Sequence, residues 1–489
     1  MNTLEELSFN NTYARLPDGF FHQVSPTPFP NPHVVSINPA AAELIDLDPE
    51  EAKRSEFAEY FSGAKLLSGS APLAMLYSGH QFGHYVPQLG DGRAILLGEV
   101  RNAKGETWDL QLKGAGLTRF SRDGDGRAVL RSTIREYLCG EAMHGLGIPT
   151  TRSLCMVSGE EIVWRERPEP GAMLVRMAPS HVRFGSFEVF FYRGQYDNLK
   201  ILANYVIQHD FPHLSEVENP YARLLHEVAV RTGEMIAQWQ AVGWSHGVMN
   251  TDNMSILGLT LDYGPYGFME QFNPRFVCNH SDHHGRYSFQ NQPDIGYWNV
   301  RALAKAMSPL IEESEILAAP DLYEKAMANK YADLMKKKLG LIEHHAEDDK
   351  LVTDLLNLMD SSRTDYTNLF RALGGFQQDS PNGNADIRDH FLHRDAFDDW
   401  GQRYRERLQA EKSQDAERQI GMNRENPKYV LRNHLAQQAI EQATRDKDYS
   451  EIDRLLNLLS DPFTDQRGME SYALPPVSGS EPIIVSCSS

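Results

Sequence analysis

The segment that most limits how this chain can fold runs from Tyr221 to Asp262. Leu225, Val228, Ala229, Thr232, Met235, Ile236 and Trp239 recur at helical spacing, which predicts an amphipathic helix from Tyr221 to Val242. Gly243 supplies the stop signal. The helix runs straight into His246-Gly-Val-Met-Asn-Thr-Asp-Asn253. Ser255–Leu261 then reads as a small hairpin that delivers Asp262-Tyr-Gly264. Asn253 and Asp262 offer the hard oxygens that hold Mg2+ together with phosphate groups. Both residue types also favour turns, but their spacing behind a strong helix favours the metal reading. Asp252 is either a proton acceptor or a capping, solvated carboxylate, and the spacing leaves the two readings level.

Upstream the pattern is that of a sheet with one helix. Ala94–Val100 is a short apolar strand, and Asn102–Gly105 is a turn. Thr107–Lys113 alternates, with Trp108, Leu110 and Leu112 on one side and Asp109, Gln111 and Lys113 on the other. Leu130–His144 follows as a helix with an Ile134, Leu138, Ala142 stripe, ended by Gly145–Pro149. Ser153–Ser158 and Ala172–Met177 are two further strands, and Ala40–Leu47 a short helix. Residues 297–460 read as mostly helical, including Val300–Met307 and Leu351–Leu358. No internal repeat is visible.

This order is that of a protein-kinase small lobe, and the loop resembles a kinase catalytic loop, H-R-D-L-x-x-x-N followed by D-F-G. His246 and Asn253 fall on its His and Asn, and Asp262 on the second motif's Asp. Val248 stands where the catalytic Asp belongs. The metal and nucleotide apparatus is kept without the usual base. Lys113 at a strand end and Glu136 on the helix complete the pattern, as a phosphate-gripping lysine and the glutamate that holds it. Alone, such a pair would be an ordinary surface ion pair; its placement on strand and helix favours the functional reading.

Composition narrows the alternatives. A net charge of -19 and a pI near 5.4 argue against nucleic acid or anionic membrane as a partner. Arg119, Arg122, Arg127, Arg131, Arg135, Arg176 and Arg183 nevertheless concentrate positive charge in one stretch. Four cysteines, Cys139, Cys155, Cys278 and Cys487, do not make a disulfide scaffold. The start has no signal-peptide pattern, and no apolar run is long enough to span a membrane. A cytoplasmic protein is expected.

Weaker signals surround these. Gly90-Asp-Gly92-Arg93, Lys113-Gly-Ala-Gly116 and Asp123-Gly-Asp125-Gly126-Arg127 are either plain turns or loops whose N–H groups face phosphate. Arg176 and Arg183 suit bidentate phosphate contacts, although single arginines are commonly surface residues. His280, Asp282, His283 and His284 match no common zinc spacing and read as a loop. Cys487 lies in a Pro-, Gly- and Ser-rich tail, expected to be poorly ordered unless docked. Its thiol is either idle or a reversible partner of Cys278.

The chain resembles the selenoprotein O family of kinase-fold protein adenylyltransferases, as a cysteine-containing member of bacterial type. The resemblance rests on Asn11-Thr-Tyr-Ala-Arg-Leu-Pro17, Gln88-Leu-Gly-Asp-Gly-Arg93, Leu112-Lys-Gly-Ala-Gly116, Arg131-Ser-Thr-Ile-Arg-Glu136, His246–Asn253 and Leu261-Asp-Tyr-Gly264. It continues through Asn279-His-Ser-Asp282, Gly285-Arg-Tyr287, Asn291-Gln-Pro293 and Cys487-Ser-Ser489. It implies ATP bound in an inverted pose, γ-phosphate buried and α-phosphate facing the substrate. Lys113 would bind phosphate and pair with Glu136. Gly90, Gly92, Arg93, Asp125, Gly126, Arg176, Arg183 and Asp262 would line the ATP site. Asn253 and Asp262 would hold Mg2+ or Mn2+, and Asp252 would take the proton. Many animal members carry selenocysteine at the site of Cys487, so the resemblance favours a redox link from Cys487 to Cys278.

The expectation is an α+β, protein-kinase-like two-lobed fold with a largely helical C-terminal extension. Residues 1–180 form the N-terminal region and small lobe, 181–471 the helical large lobe with catalytic loop, metal-binding turn and extension, and 472–489 a flexible tail. The expected reaction is AMP transfer from ATP to Ser, Thr or Tyr of a protein, by a monomer. A γ-phosphate kinase and a non-catalytic nucleotide-binding scaffold are the competing readings. Val248 speaks against the first, and the complete set Lys113, Glu136, Asn253 and Asp262 against the second.

Overall fold

The structure, a computed structural model, describes the chain apart from residues 478, 480–482 and 487–489; for residues 381 and 382 it describes the backbone alone. The fold mixes one large antiparallel sheet with many helices, an α+β arrangement. Ten strands lie between Phe21 and Ala178: β1 (Phe21–Gln23), β2 (His33–Ile37), β3 (Leu73–Met75), β4 (Gly79–Gln81), β5 (His84–Val86), β6 (Ala94–Arg101), β7 (Thr107–Lys113), β8 (Ala128–Val129), β9 (Arg152–Trp164) and β10 (Pro168–Ala178). The main sheet runs β1-β3-β6-β7-β10-β9-β2, with β8 against β10; β4 and β5 form a separate hairpin.

The predicted β6, β7, β9 and β10 all form, and the last two run longer than their apolar cores because their turn projects beyond the sheet. Both sides of β7 are buried: Asp109, Gln111 and Lys113 are shielded from solvent, as are Leu110 and Leu112. One face of the sheet packs Leu110, Leu112, Val157 and Val175 against Phe57 and Phe61 of the N-terminal helices. The other face carries the polar side chains of β7 inward, where each finds a partner: Asp109 accepts from His181, Gln111 donates to Asp91, and Lys113 meets Glu136. Burial without such partners would cost several kcal/mol each.

Helices α1 (Pro39–Glu43), α2 (Ser55–Phe61) and α3 (Leu130–Gly145) pack around the sheet. The main helical set is α4 (Phe184–Tyr192), α5 (Tyr196–Asp210), α6 (Pro220–Val242), α7 (Gln292–Met307) and α8 (Glu313–Lys338). Further helices from Asp348 to Glu425 enclose a second core around Trp400, Tyr404 and Phe370, while the helices Asn433–Asp446 and Ser450–Ser460 join the main core against α3. No helix among the described residues is long and apolar enough to cross a membrane.

The predicted α6 forms, and Gly243, left-handed at φ 70°, ends it. Residues Trp244–Ser245 and Gly267–Phe268 then pair antiparallel, closing the loop that holds His246, Asn253 and Asp262. Ser255–Leu261 is not a hairpin. Its two ends bridge elsewhere, Ser255 to Arg183 and Thr260 to Thr150, so the segment is stitched to the strand ends instead of to itself. Near the end of the chain, Val485 pairs with Asn279 in parallel, and His280 N–H donates to its carbonyl at 2.9 Å.

Trp239 ties α6 to this loop. It is buried, its Nε1 donates to Thr260 Oγ1 at 2.9 Å, and its ring meets Trp244 and His246. Trp239→Ala should lower unfolding free energy by about 3–5 kcal/mol. Trp239→Phe should cost less, since an aromatic ring stays and only the hydrogen bond and part of the indole volume go. Denaturant titration of the three proteins checks the order.

Candidate active site

Five charged side chains from separate elements meet under the sheet. Lys113 ends β7, Glu136 lies on the buried α3, Arg176 is on β10, Arg183 precedes α4, and Asp262 follows the loop. Lys113 Nζ bonds Glu136, Arg176 Nε lies 2.7 Å from the other Glu136 oxygen, and Arg176 reaches Asp262 Oδ1 at 2.6 Å. Arg183 bonds Asp262 Oδ2 and the Asp252 carbonyl, the latter at 2.7 Å, and its guanidinium sits over the Tyr77 ring. Asp262 is left-handed at φ 60°, a strained turn for a non-glycine residue that aims both oxygens at the arginines.

The environment sets the charges. Burial pulls the Lys113 amine down to about 8, against the pull of Glu136. Burial alone would raise Asp262, but Arg176, Arg183 and Lys113 bring it well below the usual carboxylate range. Asp252 has no such rescue: burial pushes its carboxyl up to about 7, and the Gln81 bond and Arg183 offset only part of that.

The loop is held from behind. His246 Nε2 donates to the Leu261 carbonyl at 3.0 Å and its Nδ1 accepts from Val248 N–H at 3.3 Å, which fixes a neutral tautomer. Asn253 spends its Nδ2 on the Val248 carbonyl at 3.0 Å, leaving Oδ1 for a cation. Asn253 Oδ1 and the Asp262 carboxylate are therefore a donor set that fits a hard divalent ion shared with phosphate oxygens.

Lys113, Arg176, Arg183, Asp252, Asn253 and Asp262 line one cleft of about 760 Å³, with Glu136 and His246 behind its wall. Gly90, Gly92, Arg93, Asp125 and Gly126 line it too, as do Gln81, Phe82, Val248 and Trp164. The glycines of the Gly90–Arg93 and Asp123–Arg127 loops thus reach the same cleft, whereas Gly114 and Gly116 do not line it. Asp125 is pinned by Arg165 at 2.6 Å.

Against this geometry stand the comparisons with known proteins. The family described as "Protein adenylyltransferase SelO" matches residues 3–460. The chain belongs to this family. Its relatives include proteins named "Protein nucleotidyltransferase YdiU" from Myxococcus xanthus (strain DK1622), 58% identical, Thioalkalivibrio sulfidiphilus (strain HL-EbGR7), 55%, and Thiobacillus denitrificans (strain ATCC 25259 / T1), 53%, with 100% of both chains covered each time.

Not every residue singled out in this SelO-family chain reaches the cleft. Arg131 pairs with Glu169, and Arg135 packs on Tyr266, donating to its carbonyl; both work as scaffold. Arg127 touches the cleft but spends its guanidinium on Glu161 and Thr27. Asp282 accepts from the N–H groups of Arg286 and Tyr287, a turn role. Cys278 is buried, donates to the Ser245 carbonyl at 3.5 Å, and burial pushes its thiol up to about 12. Cys487 lies outside the described residues. Sequence reasoning passed over Gln81, Phe82 and Glu188. Gln81 and Phe82 lie in His80-Gln-Phe-Gly-His84, which carries no recognisable spacing, and only the folded hairpin brings them to the loop; Glu188 arrives from α4.

The raised Asp252 has a measurable consequence. Its folded value near 7 exceeds the ordinary 3.8, so its stabilising contribution is full below about 4 and lost as pH rises through 7. Relative to Asp252→Asn, metal-free wild type should therefore lose on the order of 2–4 kcal/mol between pH 4 and pH 8. Denaturant midpoints of both proteins across that range test this; parallel curves would contradict it.

Proposed function

We propose that this chain transfers AMP from ATP to a Ser, Thr or Tyr hydroxyl of a protein, releasing pyrophosphate, and that its fold is a two-lobed, kinase-like one. Residues 1–180 would be the small-lobe region, 181–471 the helical lobe and extension, and 472–489 the tail; the setting would be the cytoplasm and the active unit a monomer. Family membership supports the reaction class. The observation that carries the mechanism is the position of the Asp252 carboxyl in the cleft. Val248 stands at the kinase base position, while the buried Asp252 has its carboxyl near 7, beside the Lys113, Arg176 and Arg183 cluster.

In this reading the three cations grip the β- and γ-phosphates, and the glycine loops approach the rest of the nucleotide. The acceptor oxygen attacks the α-phosphorus in line. The new P–O bond forms as the bond to the pyrophosphate oxygen breaks, and pyrophosphate leaves with the electron pair. Asp252 takes the hydroxyl proton. Mg2+ or Mn2+, held by Asn253 and Asp262, would supply neutralisation of phosphate charge. An inverted nucleotide explains why Val248 is tolerated: the reacting phosphorus has moved away from the kinase base position.

Redox control by a Cys278–Cys487 disulfide belongs to the same reading. The Val485–Asn279 pairing supports it by bringing the tail beside Cys278. Because Cys278 is a protonated, buried thiol, it is a poor nucleophile, and Cys487 would be the thiol that is oxidised first. Non-reducing peptide mapping after oxidant should find the linked pair; its consistent absence removes the link.

The reaction is tested by incubation with protein substrate, metal and ATP labelled at the α- or the γ-phosphate. Protein-bound α-label alone is expected. The γ-label alone would make the chain a kinase, and no label despite ATP binding would favour the scaffold. Asp262→Ala should abolish labelling, and Asp252→Asn should reduce it by about 10²–10⁴-fold while ATP still binds.

A further inference from the structure

The hairpin β4–β5 packs on the segment that carries Asp252. It is clamped onto the catalytic loop at successive residues. His80 N–H donates to Thr251 Oγ1 at 2.7 Å, Thr251 Oγ1 donates to the fully buried Glu188, and Glu188 Oε1 holds His80 Nδ1 at 2.6 Å. Phe82, left-handed at φ 49°, gives its N–H to Tyr287 Oη at 2.9 Å and to Asn250 Oδ1 at 3.2 Å. Tyr287 Oη in turn donates to Asn250 Oδ1 at 2.6 Å. A strained non-glycine turn persists only where its surroundings over-determine it.

Gly79 and Gln81, on either side of His80, make the two contacts with the carboxyl itself. Asp252 Oδ1 is shielded from solvent, has no hydrogen-bond partner and packs on Gly79; a Cβ built there would lie 2.6 Å from Oδ1 and 3.0 Å from the Asp252 backbone nitrogen. The Gly79 backbone is not left-handed, so only lack of space bars a side chain. Oδ2 accepts from Gln81 Nε2 at 3.1 Å, and Gln81 also lines the cleft. With Oδ1 shut against Gly79, Oδ2 is the oxygen that can meet an acceptor hydroxyl. A carboxylate oxygen can accept more than one hydrogen bond, so the Gln81 amide can orient Oδ2 while it takes the proton.

We propose that Gln81 is a positioning residue for the transfer: with Gly79 behind it, the Gln81 amide holds Asp252 so that Oδ2 faces the acceptor hydroxyl. This rests on the reading of Asp252 as proton acceptor. Gln81 acts through Asp252 and touches the nucleotide's chemistry only by that route, so it should govern the chemical step and leave ATP binding alone.

The test is steady-state AMP transfer by the full chain carrying Gln81→Met, Gly79→Ala, Asp252→Asn, or Gln81→Met with Asp252→Asn. Gln81→Met keeps side-chain length and loses the donor; it should lower kcat roughly ten- to hundredfold with KM for ATP and the melting temperature unchanged. Gly79→Ala should lower kcat in the same range by displacing the loop. The double variant should be no slower than Asp252→Asn alone, because Gln81 has nothing left to orient. An inactive Asp252→Asn with a wild-type kcat for Gln81→Met overturns the positioning role and spares the base. A double variant slower by the product of both single losses overturns it as well, assigning Gln81 an effect independent of Asp252. Wild-type kcat for Asp252→Asn overturns the base reading, and the positioning role with it.

Discussion

The chain of buried ion pairs Lys113–Glu136–Arg176–Asp262–Arg183 is the constraint on which the rest of the structure depends. Ions taken out of water lose solvation worth several kcal/mol each, and only close partners recover it. Breaking such a pair by removing one member typically costs about 3–5 kcal/mol, because the other is left uncompensated. The five residues come from β7, α3, β10, the start of α4 and the loop after α6. Each must arrive in register for any of them to be tolerable. That explains why α3 is buried on nearly all sides and why the polar side of β7 points inward.

Charge balance gives the cluster its use. Three cations face two directly paired carboxylates, which leaves a site ready for an anion. Phosphate groups would complete the pairing that the protein leaves short. Asp252 stands at the edge of this field and has no cation on its carboxyl oxygens, so burial dominates and its proton is held to near neutrality. One cleft therefore holds a carboxylate tuned down, at Asp262, and another tuned up, at Asp252. Environments that push two titratable groups apart in this way divide an electrostatic role from a proton-transfer role.

Much of this was legible in the sequence. Helix α6 announced itself by its apolar stripe and glycine stop, and β6, β7, α3, β9 and β10 by period and turns. Lys113, Glu136, Asn253 and Asp262 stand out by their placement on strand, helix and loop, whereas Arg176 and Arg183 gain weight only from the family resemblance. What was not legible depends on distant partners. The alternation of β7 separated its two sides but left the surroundings of the polar one open, since period alone does not tell water from a buried ion-pair network. Ser255–Leu261 read as a hairpin because its apolar residues fit a strand, whereas Arg183 and Thr150 bind its two ends. Arg131 and Arg135 looked like part of a phosphate patch, but Glu169 and Tyr266 claim them. Gln81 carries no motif; only the β4–β5 hairpin brings it to Asp252.

The central claim is that the terminal phosphates lie on the cation cluster and the α-phosphorus lies toward Asp252. The most direct measurement is an experimental structure of the chain with a non-hydrolysable ATP analogue and Mg2+. The account predicts the γ-phosphate against Lys113, Arg176 and Arg183, with the α-phosphorus as the phosphorus nearest Asp252 Oδ2. A γ-phosphate nearest Asp252, with the α-phosphate on the cation cluster, would contradict it.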